Sequence, residues 1–220
     1  MNFLRMLGLL VVVLLLVPFA YADGSPANMV FVGVNGANDG HYYVSPYNGT
    51  MNGQNVMLFC VDIKNEVNFG ETWTANVTNL GTALGTINGF SNTRYGGVPS
   101  SPVFSTAPVD YQEAAWLTTQ FASHPGDYVS LQYALWDLMN PGSEPTTYGD
   151  VAWWLNQAGL NYSSINPNNF EIVTNTGNLA LTGQVQEFLV QTPEPSTMTL
   201  LLCGLLVMIG ITVARTRLTA

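Results

Sequence analysis

The chain has 220 residues, 47% of them apolar and only 9% charged, with 14 acids against 5 bases. That apolar content excludes an intrinsically disordered chain, and the shortage of Lys and Arg excludes a phosphate-binding surface for nucleic acid. Arg5, Arg215 and Arg217 lie near the two ends, so Lys64 and Arg94 are the bases of the long middle region.

Taken in chain order, Arg5, the apolar run 6–19 and Ala20-Tyr21-Ala22 supply the three parts of a signal peptide. Residues 1–22 are read as that peptide, with export as the consequence. Residues 23–192 are read as one exported domain, long enough to bury a core. This segment holds 13 of the 14 acids, which gives a surface that repels anionic membranes and nucleic acid.

β-rich runs at 29–34, 41–45, 56–63 and 72–80 predict strands. Asn-Gly at Asn35, Asn48, Asn52 and Asn88 predicts tight turns between them. Asp110 with Glu113 three residues later has the form of a capping box and predicts a helix to about residue 122. Ser130 is placed as the cap of a second helix over 131–139, ended by Asn140-Pro141-Gly142, and Asp150 as the start of a third through 158. Strands return at 170–174 and 184–190. The expected class is α+β, a β-rich single domain with a few short helices.

Cys60 is the one thiol of 23–192, since Cys203 falls in the apolar tail. An exported protein meets oxidising conditions, so a solitary cysteine is an inert buried hydrophobe, half of an intermolecular disulfide, or a thiol used in chemistry. In Leu58-Phe59-Cys60-Val61-Asp62-Ile63 both strand faces are apolar, Cys60 shares its face with Leu58 and Val56, and burial argues against an intermolecular bond. Asp62 falls on the Cys60 side, where it acts on the local field, and Lys64 is read as a surface partner of Glu66. Later, Leu131-Gln132-Tyr133-Ala134-Leu135-Trp136 sets Gln132 and Trp136 four apart on one helical face, beside a ridge of Leu131 and Leu135.

The aromatic-Cys-aliphatic strand and the hydrophobic-Gln-x-x-hydrophobic-Trp helix together resemble the thioester domains of bacterial surface adhesins. The resemblance implies a covalent bond between the Cys60 sulfur and the Gln132 side-chain carbonyl carbon, made with loss of ammonia. It implies shielding of that bond by Phe59, Tyr133 and Trp136, and capture of an amine on a surface protein or polysaccharide. Tyr111-Gln112-Glu113-Ala114-Ala115-Trp116 also fits the glutamine pattern; its first-turn, solvated position favours Gln132 over Gln112. The competing expectation is a noncovalent structural or binding component of an extracellular polysaccharide matrix, with Cys60 and Leu58 filling a core and Gln132 bonding backbone groups.

No enzyme, metal site or cofactor is expected. His41 and His124 stand apart from any ligand-like spacing, and the chain has neither a nucleophile elbow nor a phosphate-binding glycine loop. At the C-terminal end, Pro193-Glu194-Pro195 forbids helix and precedes 198–214, an uncharged stretch at the lower limit of a membrane span, which Arg215 and Arg217 stop. The order of these parts over 193–220 resembles the PEP-CTERM sorting signal of Gram-negative bacteria that make extracellular polysaccharide. This implies an exosortase-type sorting enzyme as partner, a membrane anchor before processing, and the outer surface or extracellular matrix afterwards.

Overall fold

Six strands, β1 (Pro26–Val34), β2 (Tyr47–Met51), β3 (Gln54–Cys60), β4 (Thr72–Asn79), β5 (Phe170–Asn175) and β6 (Phe188–Gln191), close into a barrel in the order β1-β2-β3-β6-β5-β4. Every pairing is antiparallel. The computed structural model describes residues 26–143, 148–177 and 179–192, together with Gly204. The predicted signal peptide, the Pro193-Glu194-Pro195 motif and, apart from Gly204, the predicted span 198–214 lie outside them. Among the described residues no helix is long and apolar enough to cross a membrane.

Directly opposed residues share a face of an antiparallel sheet, so the register defines the lumen. Met29 pairs with Met51 and Trp73, Leu58 with Tyr47 and Val190, and Cys60 with Phe188. Met29, Met51, Leu58, Cys60, Phe188 and Val190 are all buried, which makes the lumen a filled core rather than a channel. The alternate residues Phe59, Ile172 and Leu189 face outward yet are also buried, because helices cover that side. On the uncovered side Val32 and Met57 are exposed.

Among the described residues five α-helices lie between β4 and β5: α1 (Leu80–Leu84), α2 (Arg94–Gly97), α3 (Ala107–Gln120), α4 (Tyr128–Met139) and α5 (Val151–Asn161). The last three pack on one another, with α3 against β6 and α4 against β3. Nearly every residue of α4 from Ser130 to Met139 is buried, as expected of a helix that carries apolar residues all round. The result is a β-rich domain with a helical layer on one side of a closed barrel.

Several local expectations are corrected. The Asn48-Gly49 pair is not a turn but the middle of β2; a Cβ on Gly49 would stand 2.6 Å from Leu58 Cδ1, so glycine is there for close packing across the barrel. The hairpin turn is Asn52-Gly53, where φ is +51° and +81°, the geometry of a two-residue I′ turn. The run 41–45 forms no strand and makes only the isolated bridge Asn38–Tyr43, because Asp39 Oδ1 accepts from the His41 and Tyr42 N–H groups (2.8 and 2.7 Å) and bends the chain into a loop. β3 ends at Cys60 rather than Ile63, and β6 begins at Phe188 rather than Gln184. Asp110 is not a cap: α3 starts at Ala107 with Pro108 in its first turn, and Asp110 accepts from the Thr106 hydroxyl (2.6 Å). Ser130 lies inside α4, where its hydroxyl accepts from the Asp150 N–H (3.3 Å) at the start of α5.

Candidate functional site

β3 ends with Cys60 on the lumen face, and α4 crosses that end of the strand. Gln132 is wholly buried, and its carboxamide is held at both ends. Its Oε1 accepts from the Ser45 backbone N–H (3.0 Å), and its Nε2 donates to the Cys60 carbonyl (2.7 Å). The Ser45 hydroxyl oxygen in turn accepts from the Cys60 N–H (2.9 Å). One turn along α4, the Trp136 indole N–H donates to the Cys60 sulfur (3.4 Å). The four-residue spacing of Gln132 and Trp136 therefore puts the amide on the Cys60 backbone and the indole on its sulfur.

The sulfur has a second clasp. Its S–H donates to the Asp62 carbonyl (3.3 Å) and it accepts from the Asp62 N–H (3.4 Å). Cys60 is 0% exposed, and burial pushes its thiol up to about 12, against a smaller opposing effect of the Trp136 N–H and the Arg94 charge. The site thus holds a protonated thiol in a dry enclosure, with a neutral carboxamide beside it.

Asp62 is fixed by a buried ionic network that sequence patterns do not reveal. Arg94, Asp62 and Glu187 are each 0% exposed. The Arg94 guanidinium pairs with Asp62 Oδ2 and donates to the Val185 carbonyl (2.8 Å), while its backbone N–H donates to Glu187 Oε2 (2.7 Å). Tyr95 donates to Asp62 Oδ1 (3.1 Å), and the Tyr111 and Thr174 hydroxyls donate to Glu187. Desolvation raises the Glu187 carboxyl above its ordinary range, with Arg94 and the hydroxyl donors working the other way.

The other predicted site residues separate into two groups. Tyr133, 5% exposed, stacks on Trp136 with ring centroids 5.7 Å apart, which places it beside the enclosure. Phe59 sits on the opposite face of β3 against Phe121 (5.2 Å), because neighbours in a strand alternate; cover on the sulfur side comes from Trp136 and from Tyr42, which meets it edge-on at 5.4 Å. Gln112 turns back on its own helix and donates to the Pro108 carbonyl (2.9 Å). Lys64 is exposed, and its N–H donates to Asp62 (3.1 Å). Ser45, Arg94 and Glu187 were missed.

The loop over α4 is tied down through Asp39, whose Oδ2 accepts from the Tyr133 hydroxyl. Burial works against the Asp39 charge, but the bonds from Tyr133, Tyr42 and His41 outweigh it, and its pKa lies below the ordinary 3.8. This contribution to stability is fully present above pH 3.8 and is lost as the pH falls through the lower folded value. Tyr133→Phe, which removes the donor, is expected to raise the Asp39 pKa toward its ordinary value in an NMR titration of the side-chain carboxyl. An unchanged titration would show that the hydroxyl does not hold the loop.

Among the described residues no group of three or more His, Cys, Asp or Glu is arranged to hold a metal ion. No protein-family model, curated protein or solved structure matches the chain.

Proposed function

We propose that this is an exported surface protein that carries an internal thioester between Cys60 and Gln132 and uses it to capture an amine-bearing partner covalently. The observation that supports the reading most is the double tether of the Gln132 carboxamide. The tether brings a buried glutamine carboxamide against the backbone of the one cysteine of the domain; bonding to backbone groups is also what the noncovalent reading expects, so the support lies in the pairing of these two residues. The Ser45 N–H donates to the unreacted Oε1 at 3.0 Å and is the group that would serve as oxyanion donor as charge develops on that oxygen. As Cys60 sulfur attacks the Gln132 carbonyl carbon, the C–S bond forms, the C–N bond breaks, and the thiol proton leaves with the amide nitrogen as ammonia. In the capture step the partner amine attacks the same carbon, the C–S bond breaks, and Cys60 regains a proton from the amine. Each molecule acts once, so the protein is a stoichiometric adhesin-like binder rather than an enzyme.

The raised thiol pKa favours the second reading, a noncovalent matrix component with an inert core cysteine. With a pKa of about 12, about one thiol in 10⁵ is ionised at neutral pH. The thioester reading requires proximity to offset this deficit, and well-oriented intramolecular reactions reach effective molarities of about 10⁵ to 10⁸ M. The dry surroundings then protect the product from hydrolysis. In the same proposal residues 1–22 direct export, and the tail 193–220, with its Pro193-Glu194-Pro195 motif, is the substrate of an exosortase-type sorting enzyme that delivers the domain to the cell surface or matrix.

Intact-mass measurement decides between the readings. The purified protein is expected to weigh one ammonia less than its processed sequence, and methylamine is expected to add its full mass. An unmodified mass with one titratable thiol in the domain overturns the thioester.

A further inference from the structure

Beside the enclosure the barrel mouth opens into a groove of about 240 Å³ whose walls include Tyr42, Tyr43, Phe69, Trp136 and Glu66. Three of its aromatics are unusually open to solvent: Tyr42 is 44%, Tyr43 55% and Phe69 63% exposed. A cluster of exposed aromatic rings around a concavity marks a binding surface. Trp136 stands between the groove and the candidate site: it lines the groove and donates its indole N–H to the Cys60 sulfur.

We infer that this groove is the recognition site for the partner's cationic amine, seating an alkylammonium side chain of a protein before capture. The inference rests on the proposed thioester for the covalent step after seating, but not for the seating itself. Three observations select the occupant. The rings stand steeply to one another, 73° between Tyr42 and Trp136 and 77° between Tyr43 and Phe69. Tyr43 and Phe69 make a steep, open-sided cage at the exposed end rather than the flat platform on which a pyranose stacks, and Trp136 lies buried behind Tyr42. Aromatic faces attract a cation lodged among them, and Glu66 adds a carboxylate at the rim. Over 23–192 the acids outnumber the bases 13 to 2, so the domain as a whole attracts cations and repels anionic chains, and the groove lining itself holds Glu66 together with His41. A lysyl side chain has the slim apolar stem and charged head that such a cage accepts.

The test uses the full chain and a probe that cannot be acylated, Nα-acetyl-Nε-trimethyl-lysine methylamide, followed by tryptophan fluorescence and calorimetry. It is expected to bind the parent saturably. Phe69→Ala and Glu66→Gln, both at exposed positions, are each expected to weaken it about 3- to 10-fold. It is also expected to slow covalent incorporation of Nα-acetyl-lysine methylamide in the parent. Absence of probe binding, binding indifferent to both substitutions, or glucosamine displacing the probe at lower concentration than acetyl-lysine methylamide overturns the assignment. Retained probe binding in a protein of unmodified mass would remove the thioester and keep the groove, so the two failures are distinguishable.

Discussion

Arg94→Met is expected to destabilise the domain by about 3–5 kcal/mol, measured as a fall in the urea midpoint. The methionine fills most of the space but leaves Asp62 and Glu187 buried without their cation, and a buried ion pair that loses one partner costs that much. Against the usual domain stability of about 5–15 kcal/mol, this is a large fraction. The double variant Asp62→Asn with Arg94→Met is expected to cost less than the sum of the two single substitutions, because the neutral amide no longer needs a cation. Strict additivity, or a loss below about 1 kcal/mol in the single variant, would mean that the pair is as weak as a surface salt bridge. The same variant has a second readout. The Asp62 backbone clasps the Cys60 sulfur through its N–H and its carbonyl, so under the proposed thioester loosening Asp62 should also lower the fraction of molecules that lose one ammonia.

The strands and helices were legible where period and turn chemistry act locally. β1, β4 and β5 come from alternating β-formers, Asn52-Gly53 from its demand for positive φ, and α4 from its stretch of apolar residues before Asn140-Pro141-Gly142. β2 was not legible, because Tyr47-Asn48-Gly49-Thr50-Met51 carries a turn signature that barrel packing overrides: only glycine lets Leu58 approach. The helix starts at Ala107 and Tyr128 were hidden because Asp110 and Ser130 resemble caps but spend their side chains on other bonds. The pairing of Cys60 with Gln132 is read from motif spacing and resemblance, and in the structure the two residues meet through a bond from the Gln132 amide to the Cys60 carbonyl. Ser45, Arg94 and Glu187 were not found, since their roles depend on contacts across 87, 32 and 93 positions of sequence. One signal was present: in a segment with two bases, Arg94 sits among Ser, Asn, Thr and Tyr with no acid nearby, which marks a base whose partner is distant.

The Ser45 N–H lies in a peptide that Gly36 packs against, and Gly36→Ala is expected to slow formation of the proposed Cys60–Gln132 thioester by about 10²- to 10³-fold, the usual cost of losing an oxyanion donor. The segments on either side of Gly36 are laced to the Val44–Pro46 backbone by hydrogen bonds from Asn35 N–H to the Pro46 carbonyl and from Val44 N–H to the Ala37 carbonyl, each 2.9 Å. Between them Gly36 lies so close that a Cβ would stand 2.0 Å from the Val44 oxygen and 2.3 Å from the Ser45 oxygen. No rotamer relieves an overlap with backbone, so an alanine must push the Val44–Ser45 peptide away. A shift of about 1 Å in either direction moves the Ser45 N–H out of its 3.0 Å bond to Gln132 Oε1, because hydrogen-bond distances span only a few tenths of an ångström. A time course of intact mass after refolding should then show parent protein losing ammonia while the variant stays at full mass. Gly40→Ala is the control, because Gly40 has φ of +97° with nothing within 4 Å of its Cβ direction. That substitution strains the same loop through its backbone, at roughly 1 kcal/mol, without pressing on Ser45. If both variants lose ammonia as fast as the parent, the Ser45 N–H is not the oxyanion donor. If both slow equally, loop stability rather than the placement of that one N–H governs the reaction.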